Sequence, residues 1–146
     1  YTNLCAVCQA QLRIMKVRYP KPGIVYKGAI PVAEIALNTS DKYLTILISA
    51  LLGNAYKFTQ EGTISLECDR LGDDRVFVAV ADTGCGIPPE KHGYVFERFT
   101  KLDPFSQGNG LGLYLCRLIV THLHGEIYID SGYTGGTRIV AILPRR

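Results

Sequence analysis

Residues 76–89 read Val-Phe-Val-Ala-Val-Ala-Asp82-Thr-Gly84-Cys-Gly86-Ile-Pro-Pro. The apolar run predicts a buried strand, and it ends abruptly at one carboxylate that is followed by two glycines. A carboxylate at the mouth of a dry pocket accepts a hydrogen bond from an exocyclic amine, and glycines let the backbone approach a flat ring. The stretch is therefore typical of a purine pocket, although a strand-end Asp that caps a tight turn would have the same residues.

Composition predicts one domain over residues 1–146. The chain has 146 residues and is 47% hydrophobic, enough for a compact unit with its own core. Its net charge of +3 is mild and its basic residues are scattered, so nucleic-acid binding is not expected. No apolar run approaches the roughly 18 residues of a membrane span, and no signal pattern opens the chain. The first residue, Tyr1 rather than Met, indicates a piece of a longer protein.

The cysteines and histidines do not form a recognisable metal or disulfide pattern. Five cysteines at irregular positions indicate a reducing compartment, and we expect a cytoplasmic location. Cys5 and Cys8 form a C-x-x-C, but no second Cys or His pair accompanies it, so zinc is disfavoured. His122 and His124 are expected to face solvent at a helix end, and His92 adds no metal spacing.

Hydrophobic periodicity and turn residues predict the order of the elements. A strong amphipathic helix capped by Ser40 or Asp41 is expected over 41–58. Two antiparallel hairpins are expected at the turns 72–74 and 132–136. The full set is helices at 4–19, 41–58, 88–99 and 110–123, strands at 24–26, 34–37, 63–69, 76–81, 127–130 and 138–143, and a mobile loop at 100–109.

The helix over 41–58 carries Asn54-Ala-Tyr-Lys57-Phe58. At about 100° per residue, positions 50, 54 and 57 lie on one stripe beside the apolar face. The Asn54 carbonyl oxygen suits Mg²⁺, and Lys57 supplies a charge to phosphate oxygens. Taken alone, Asn54 could equally be a packing residue, and Lys57 could complement the helix dipole.

A glycine-rich segment, Gly108-Asn-Gly110-Leu-Gly112-Leu113, opens the last predicted helix. Free N–H groups and the positive end of the helix dipole favour an anion there. The segment has neither the Lys of a P-loop nor the βαβ setting of a dinucleotide fingerprint. A role in phosphate binding is therefore inferred only together with the motifs around this segment.

Five motifs, in order and spacing, resemble the asparagine box, the first glycine box, the phenylalanine box, and the second and third glycine boxes of sensor histidine kinases. They are Asn54-Ala-Tyr-Lys57-Phe58, Asp82-Thr-Gly84-Cys-Gly86, Phe96-Glu-Arg-Phe99, Gly108-Asn-Gly110-Leu-Gly112-Leu113 and Gly135-Gly136-Thr137. The resemblance covers about residues 41–146 and places the chain among the GHKL ATPases. It implies a Bergerat-type α/β (α+β) two-layer sandwich, with a mixed, mainly antiparallel sheet and helices on one face.

The resemblance implies ATP as ligand and Mg²⁺ as cofactor, and it assigns a role to each matched residue. Asp82 would read the adenine amino group, and Asn54 would hold the metal. The catalytic set is Asn54, Lys57 and Lys101, with both lysines on the phosphates. The residues on the base side, which would lie beside the adenine ring, are Phe58, Gly84, Gly86, Ile87 and Thr137. The phosphate-cradling end of a lid comprises Gly108, Gly110, Leu111, Gly112 and Leu113, and the lid anchors are Phe96 and Phe99.

The resemblance further implies that the chain is the catalytic domain of a larger kinase and is itself monomeric. It would present ATP to a His in a separate dimerisation domain, with a response regulator or receiver domain downstream. None of the three histidines lies in a phosphoacceptor motif of the type H-E-[I/L/F]-R-T-P. The parent kinase would be cytoplasmic or anchored in an inner membrane.

One position departs from the resemblance. Ala50 lies one turn before Asn54, where relatives carry Asn, His or Glu. In relatives such as the DNA gyrase B subunit a Glu there is the general base, and Ala50 cannot deprotonate water. Two alternatives stay open: a GHKL serine kinase of the anti-sigma type, and a non-catalytic nucleotide-binding regulatory module.

Overall fold

The computed structural model describes residues 1–86, 96 and 112–145. Within them the chain forms three helices and seven strands. In chain order these are β1 (Thr2–Asn3), α1 (Leu4–Arg18), β2 (Ile24–Ala29), β3 (Ala36–Leu37), α2 (Asp41–Phe58), β4 (Gly62–Leu71), β5 (Arg75–Asp82), α3 (Gly112–His122), β6 (Glu126–Ile129) and β7 (Thr137–Pro144).

The main sheet has five strands in the order β2-β4-β5-β7-β6. Only the β2–β4 pair is parallel, and the three remaining pairs are antiparallel. Alternate residues of β4 and β5 face the helices and are buried with the apolar sides of α1, α2 and α3 in one core. The predicted two-layer arrangement, with a mixed, mainly antiparallel sheet and helices on one face, is confirmed.

Local capping explains where the two long helices begin. The Ser40 hydroxyl accepts a hydrogen bond from the Lys42 N–H at 3.1 Å, so α2 begins where the sequence predicts. Asn3 caps α1, and its Oδ1 accepts from the N–H groups of Cys5 at 3.1 Å and Ile35 at 3.3 Å. The Asn3 side chain therefore also fixes the segment before β3 against the start of α1.

The structure corrects two short strands. The strand predicted at 34–37 is only Ala36–Leu37, and it pairs antiparallel with β1 instead of joining the main sheet. β1 itself is not predicted, because a two-residue pairing has no periodicity to read. The strand predicted at 24–26 continues to Ala29, paired along β4.

The C-x-x-C lies inside the core. Cys5 and Cys8 are buried on the inner side of α1, and Cys68 of β4 is buried beside them. Burial raises the pKa of the Cys5 thiol to about 11. The Cys5 thiol is therefore a poor nucleophile and a poor metal ligand, and we assign the three buried cysteines to packing.

Several predicted features lie outside the described residues. These are the helix at 88–99 apart from Phe96, the loop at 100–109, Phe99, and the first two residues of the helix predicted from 110. Phe96 is buried in the core. No helix in the described ranges has both the length and the apolar content needed to cross a membrane.

Candidate functional site

Asp82 is the last residue of the central strand β5, and its side chain faces the helical layer. It lies opposite Ile64 on one side and Thr137 on the other, and it is only 4% exposed. The Gly84 N–H donates to Asp82 Oδ1 at 2.9 Å. The buried acceptor predicted at this strand end is therefore present, and it also closes the turn that follows.

The environment of Asp82 makes its carboxylate a strong acceptor. Burial raises its pKa, while hydrogen bonds from the backbone N–H groups of Gly84 and Thr137 partly oppose that shift. A carboxylate has about four lone-pair positions, so two backbone donors leave capacity for more. A ligand amine could take one of these positions in a site with little water.

Glycines allow three chain segments to meet around Asp82. A Cβ on Gly84 would meet the carbonyl oxygen of Phe58 and would lie 2.9 Å from Thr59 Oγ1. A Cβ on Gly136 would meet the Asp82 carbonyl oxygen, and Gly136 has φ +152. Gly86 has φ +75, and its Cβ would lie 3.3 Å from the Gly136 oxygen. We call Gly84, Gly86 and Gly136 the glycine cradle.

Phe58, at the end of α2, lies next to the cradle. It is half-buried and lines an open cavity of about 630 Å³ together with Thr83, Gly84 and Cys85. The Lys57 Nζ is 5.4 Å from the centre of the Phe58 ring, a cation–π distance. The structure thus brings Phe58 and the first glycine box together.

Solvent exposure increases along the predicted stripe on α2, from its first residue to its last. Ala50 is partly buried against the core, Asn54 is half-exposed, and Lys57 is exposed. Neither Asn54 nor Lys57 is among the residues that line the Phe58 cavity. Asp82, Gly86 and Thr137 do not line that cavity either, so it is not the pocket formed by the predicted site residues.

The start of α3 is described from Gly112 onward. Gly112 is exposed, and a Cβ there would meet no atom within 4 Å. Leu113 is buried in the core and anchors this end of the helix. Four predicted phosphate-side residues, Lys101, Gly108, Gly110 and Leu111, and the base-side residue Ile87 lie outside the described residues.

Sequence reasoning missed two residues at the site. The Tyr133 hydroxyl donates to the Asp82 backbone oxygen at 3.2 Å and ties the β6–β7 turn to the strand end. Thr59 is 1% exposed, and its Oγ1 has no hydrogen-bond partner among the described residues. An aromatic residue inside the glycine-rich turn 132–136 is the one sequence signal that could have indicated Tyr133.

The fold agrees with the comparisons to known proteins. Residues 39–146 match the family described as histidine kinase-, DNA gyrase B-, and HSP90-like ATPase, and the chain belongs to that family. It is 33% identical over 141 residues to the adaptive-response sensory kinase SasA of Gloeothece citriformis, covering 94% of this chain and 36% of that protein. The region shared with such kinases is their ATP-binding catalytic domain.

Two solved structures have the same fold. The mycobacterial sensor histidine kinase MprB superposes with a TM-score of 0.87 at 24% identity, over 99% of this chain and 97% of that one. Full-length ShkA in complex with AMPPNP superposes with a TM-score of 0.83 at 24% identity, over 98% of this chain and 30% of that one.

Proposed function

We propose that this chain binds Mg-ATP and presents the γ-phosphate to a histidine in a separate dimerisation domain of the same kinase. The observation that carries the proposal is the buried Asp82 carboxylate inside the glycine cradle, in a chain of the histidine kinase-like ATPase family. The ATP analogue AMPPNP in the similar ShkA structure supports a nucleotide at this fold. The phosphoacceptor and a downstream response regulator or receiver domain are part of the proposal.

The Asp82 carboxylate would select adenine. It would accept a hydrogen bond from the exocyclic amine of the base, with Thr137 supporting that side and Phe58 beside the ring. A guanine carbonyl at that position would give the buried carboxylate no further donor and would oppose it electrostatically. Base selection therefore follows from one desolvated acceptor, with Gly84, Gly86 and Ile87 allowing the ring to approach.

Asn54, Lys57 and the start of α3 would hold the phosphates. Bound Mg²⁺ would neutralise phosphate charge, and the half-exposed Asn54 offers it a neutral carbonyl oxygen. Lys57 and Lys101 would contact phosphate oxygens, and Gly108, Gly110, Leu111, Gly112 and Leu113 would bring backbone N–H groups to them. Phosphoryl transfer depends mostly on positioning and charge neutralisation, so a domain that holds ATP contributes to catalysis without owning the nucleophile.

A metal-dependence experiment tests the phosphate side. Asn54→Ala should remove most of the gain in ATP affinity that Mg²⁺ provides and leave metal-free ADP binding nearly unchanged. Calorimetric titration with and without Mg²⁺ measures both quantities, and Ser49→Ala, on an exposed position of the same helix, is the matched control. A full Mg²⁺ gain retained in Asn54→Ala would remove Asn54 from the metal site.

Autophosphorylation of the full-length protein, with and without a substitution at Ala50, distinguishes a kinase from a non-catalytic nucleotide-binding module. A methyl group offers no general base, so we expect almost no ATP hydrolysis by this chain. In the full-length kinase, Ala50→Asn should raise the autophosphorylation rate and change nucleotide affinity by only a few-fold, since the new amide would act mainly in the transition state. A wild-type protein without any autophosphorylation would favour the regulatory module, and transfer to a serine would favour the anti-sigma type.

The chain is proposed to be one domain of a longer kinase. The chain spans 36% of the SasA relative, and we propose that the remainder of the parent kinase supplies the dimerisation domain. We further propose that residues 1–146 fold as one monomeric unit in a cytoplasmic compartment. Size-exclusion chromatography with light scattering on the isolated chain measures the oligomeric state.

A further inference from the structure

The turn between β6 and β7 contacts Asp82 at two points. The Tyr133 hydroxyl donates to the Asp82 backbone oxygen at 3.2 Å. The backbone N–H of Thr137, directly after the turn, donates to the Asp82 carboxylate. We call residues 130–136 the clamp turn. The position and direction of the Asp82 carboxylate therefore depend on the conformation of this turn.

Asp130 fixes the conformation of the clamp turn from its first residue. Its Oδ1 accepts from the Gly132 N–H at 3.0 Å, and its backbone oxygen accepts from the Tyr133 N–H at 3.2 Å. An Asp side chain that accepts from the backbone two residues later is a common way to fix a turn. These bonds set the backbone at Tyr133 and hence the direction of its side chain.

An arginine on the neighbouring strand holds the Asp130 side chain. Arg138 donates from Nη1 to Asp130 Oδ2 at 3.0 Å and from Nη2 to Glu67 Oε1 at 2.9 Å. The guanidinium reaches from β7 across β5 to β4, and the β5 residues opposite Arg138 and Glu67 are the small Ala81 and Ala79. A planar guanidinium between two carboxylates fixes their orientation as well as balancing their charge.

The arginine lies on the sheet face that is turned away from the helices. Consecutive strand residues point to opposite faces, so Thr137 faces the helical layer with Asp82, whereas Arg138 faces the other side. The side chains of Glu67 and Asp130 are 43% and 34% exposed, and ion pairs at such positions add little to the stability of a fold. Holding the clamp turn is therefore the larger effect of this pair.

We propose that Tyr133, Asp130 and Arg138 are positioning residues for adenine recognition by Asp82. They act through Asp82 and not on the nucleotide. Hydrogen bonds weaken steeply with poor distance and angle, so a displaced carboxylate would bond the adenine amine poorly. The inference rests on the proposed function and adds that nucleotide affinity depends on an ion pair on the opposite face of the sheet.

Tyr133→Phe tests the positioning role, because it removes one hydroxyl and keeps the ring. Calorimetry should show ATP affinity lowered about three- to tenfold, the usual effect of one hydrogen bond. Purine riboside triphosphate, which lacks the exocyclic amine, should bind wild type and variant about equally. A merely structural role would lower the affinity for both nucleotides by the same factor.

A double variant tests whether Tyr133 acts through Asp82. In an Asp82→Asn background the bond to the adenine amine is already lost, so adding Tyr133→Phe should change ATP affinity by less than about twofold. Equal losses for ATP and the amine-free analogue, or additive losses in the double variant, would overturn the positioning role and leave the proposed function in place. A wild-type chain that binds neither nucleotide would overturn both.

Arg138→Met tests the contribution of the ion pair. It should lower ATP affinity by about threefold or more and leave binding of the amine-free analogue nearly unchanged, as for Tyr133→Phe. Arg75→Met is the matched control, since Arg75 is an exposed arginine at the other end of β5 and should not affect either nucleotide. Unchanged ATP affinity in Arg138→Met would exclude the ion pair from the positioning of Asp82.

Discussion

Asp82→Asn should weaken the binding of ATP and ADP by about 1–3 kcal/mol, or roughly five- to 150-fold, the usual cost of breaking a hydrogen bond to a buried group. The amide keeps the shape of the side chain and can still accept from the Gly84 N–H, which donates at 2.9 Å in the wild type. It loses the second acceptor position, where the adenine amine would donate. The preference for ATP over GTP should fall with it, because an amide can donate to a guanine carbonyl.

The same substitution should not destabilise the nucleotide-free chain. Burial raises the pKa of Asp82 in the folded protein, so the folded chain holds the proton more tightly than the unfolded chain. Stability from this group is therefore present below the unfolded pKa, near 4, and is lost as pH rises through the folded pKa. At neutral pH the ionised carboxylate costs stability, and Asp82→Asn should melt at an equal or higher temperature.

Two measurements separate the ligand role of Asp82 from a structural role. Calorimetry gives nucleotide affinity, and thermal unfolding from neutral pH down towards pH 4 gives the difference in melting temperature between variant and wild type. That difference should shrink as the pH falls, whereas Asp73→Asn in the exposed turn 72–74 should leave nucleotide affinity unchanged. Equal ATP affinities for wild type and Asp82→Asn would exclude Asp82 from the adenine site.

The sequence predicted the features that depend on local patterns. The limits of α2 follow from the Ser40 cap and a regular apolar stripe, and the inward residues of β4 follow from strict alternation. The burial of Asp82 follows from its position at the end of an apolar strand. In each case neighbours along the chain determine the structure, and a single sequence is sufficient.

Features that depend on distant segments could not be predicted. The β1–β3 pairing joins residues 2–3 to residues 36–37, and neither strand is long enough to show a period. Tyr133 contacts Asp82 across 51 positions of the sequence. Gly136 of the third glycine box was predicted by resemblance. The physical reason for a glycine there is its close approach to the Asp82 carbonyl, which depends on how β5 and β7 pair.

Gly136→Ala should have the largest effect on folding. Gly136 has φ +152, a conformation that L residues rarely adopt, and a Cβ there would meet the Asp82 carbonyl oxygen. Backbone strain of about 1–3 kcal/mol and overpacking of a similar size predict a loss of roughly 2–5 kcal/mol. Such a loss is a large share of the 5–15 kcal/mol that typically stabilises a domain. Nucleotide affinity should fall as well, because the clash displaces the strand end that carries Asp82.

Urea unfolding of Gly136→Ala beside Gly53→Ala measures this effect against a matched control. Gly53 lies in α2, where a Cβ would meet no atom within 4 Å, so alanine should raise the free energy of unfolding by about 0.5–1 kcal/mol through its helix propensity. The two substitutions add the same methyl group and should change stability in opposite directions. If Gly136→Ala unfolds at the same urea concentration as the wild type, the third glycine box is not held against Asp82. The glycine at position 136 would then be needed only for the approach of the nucleotide.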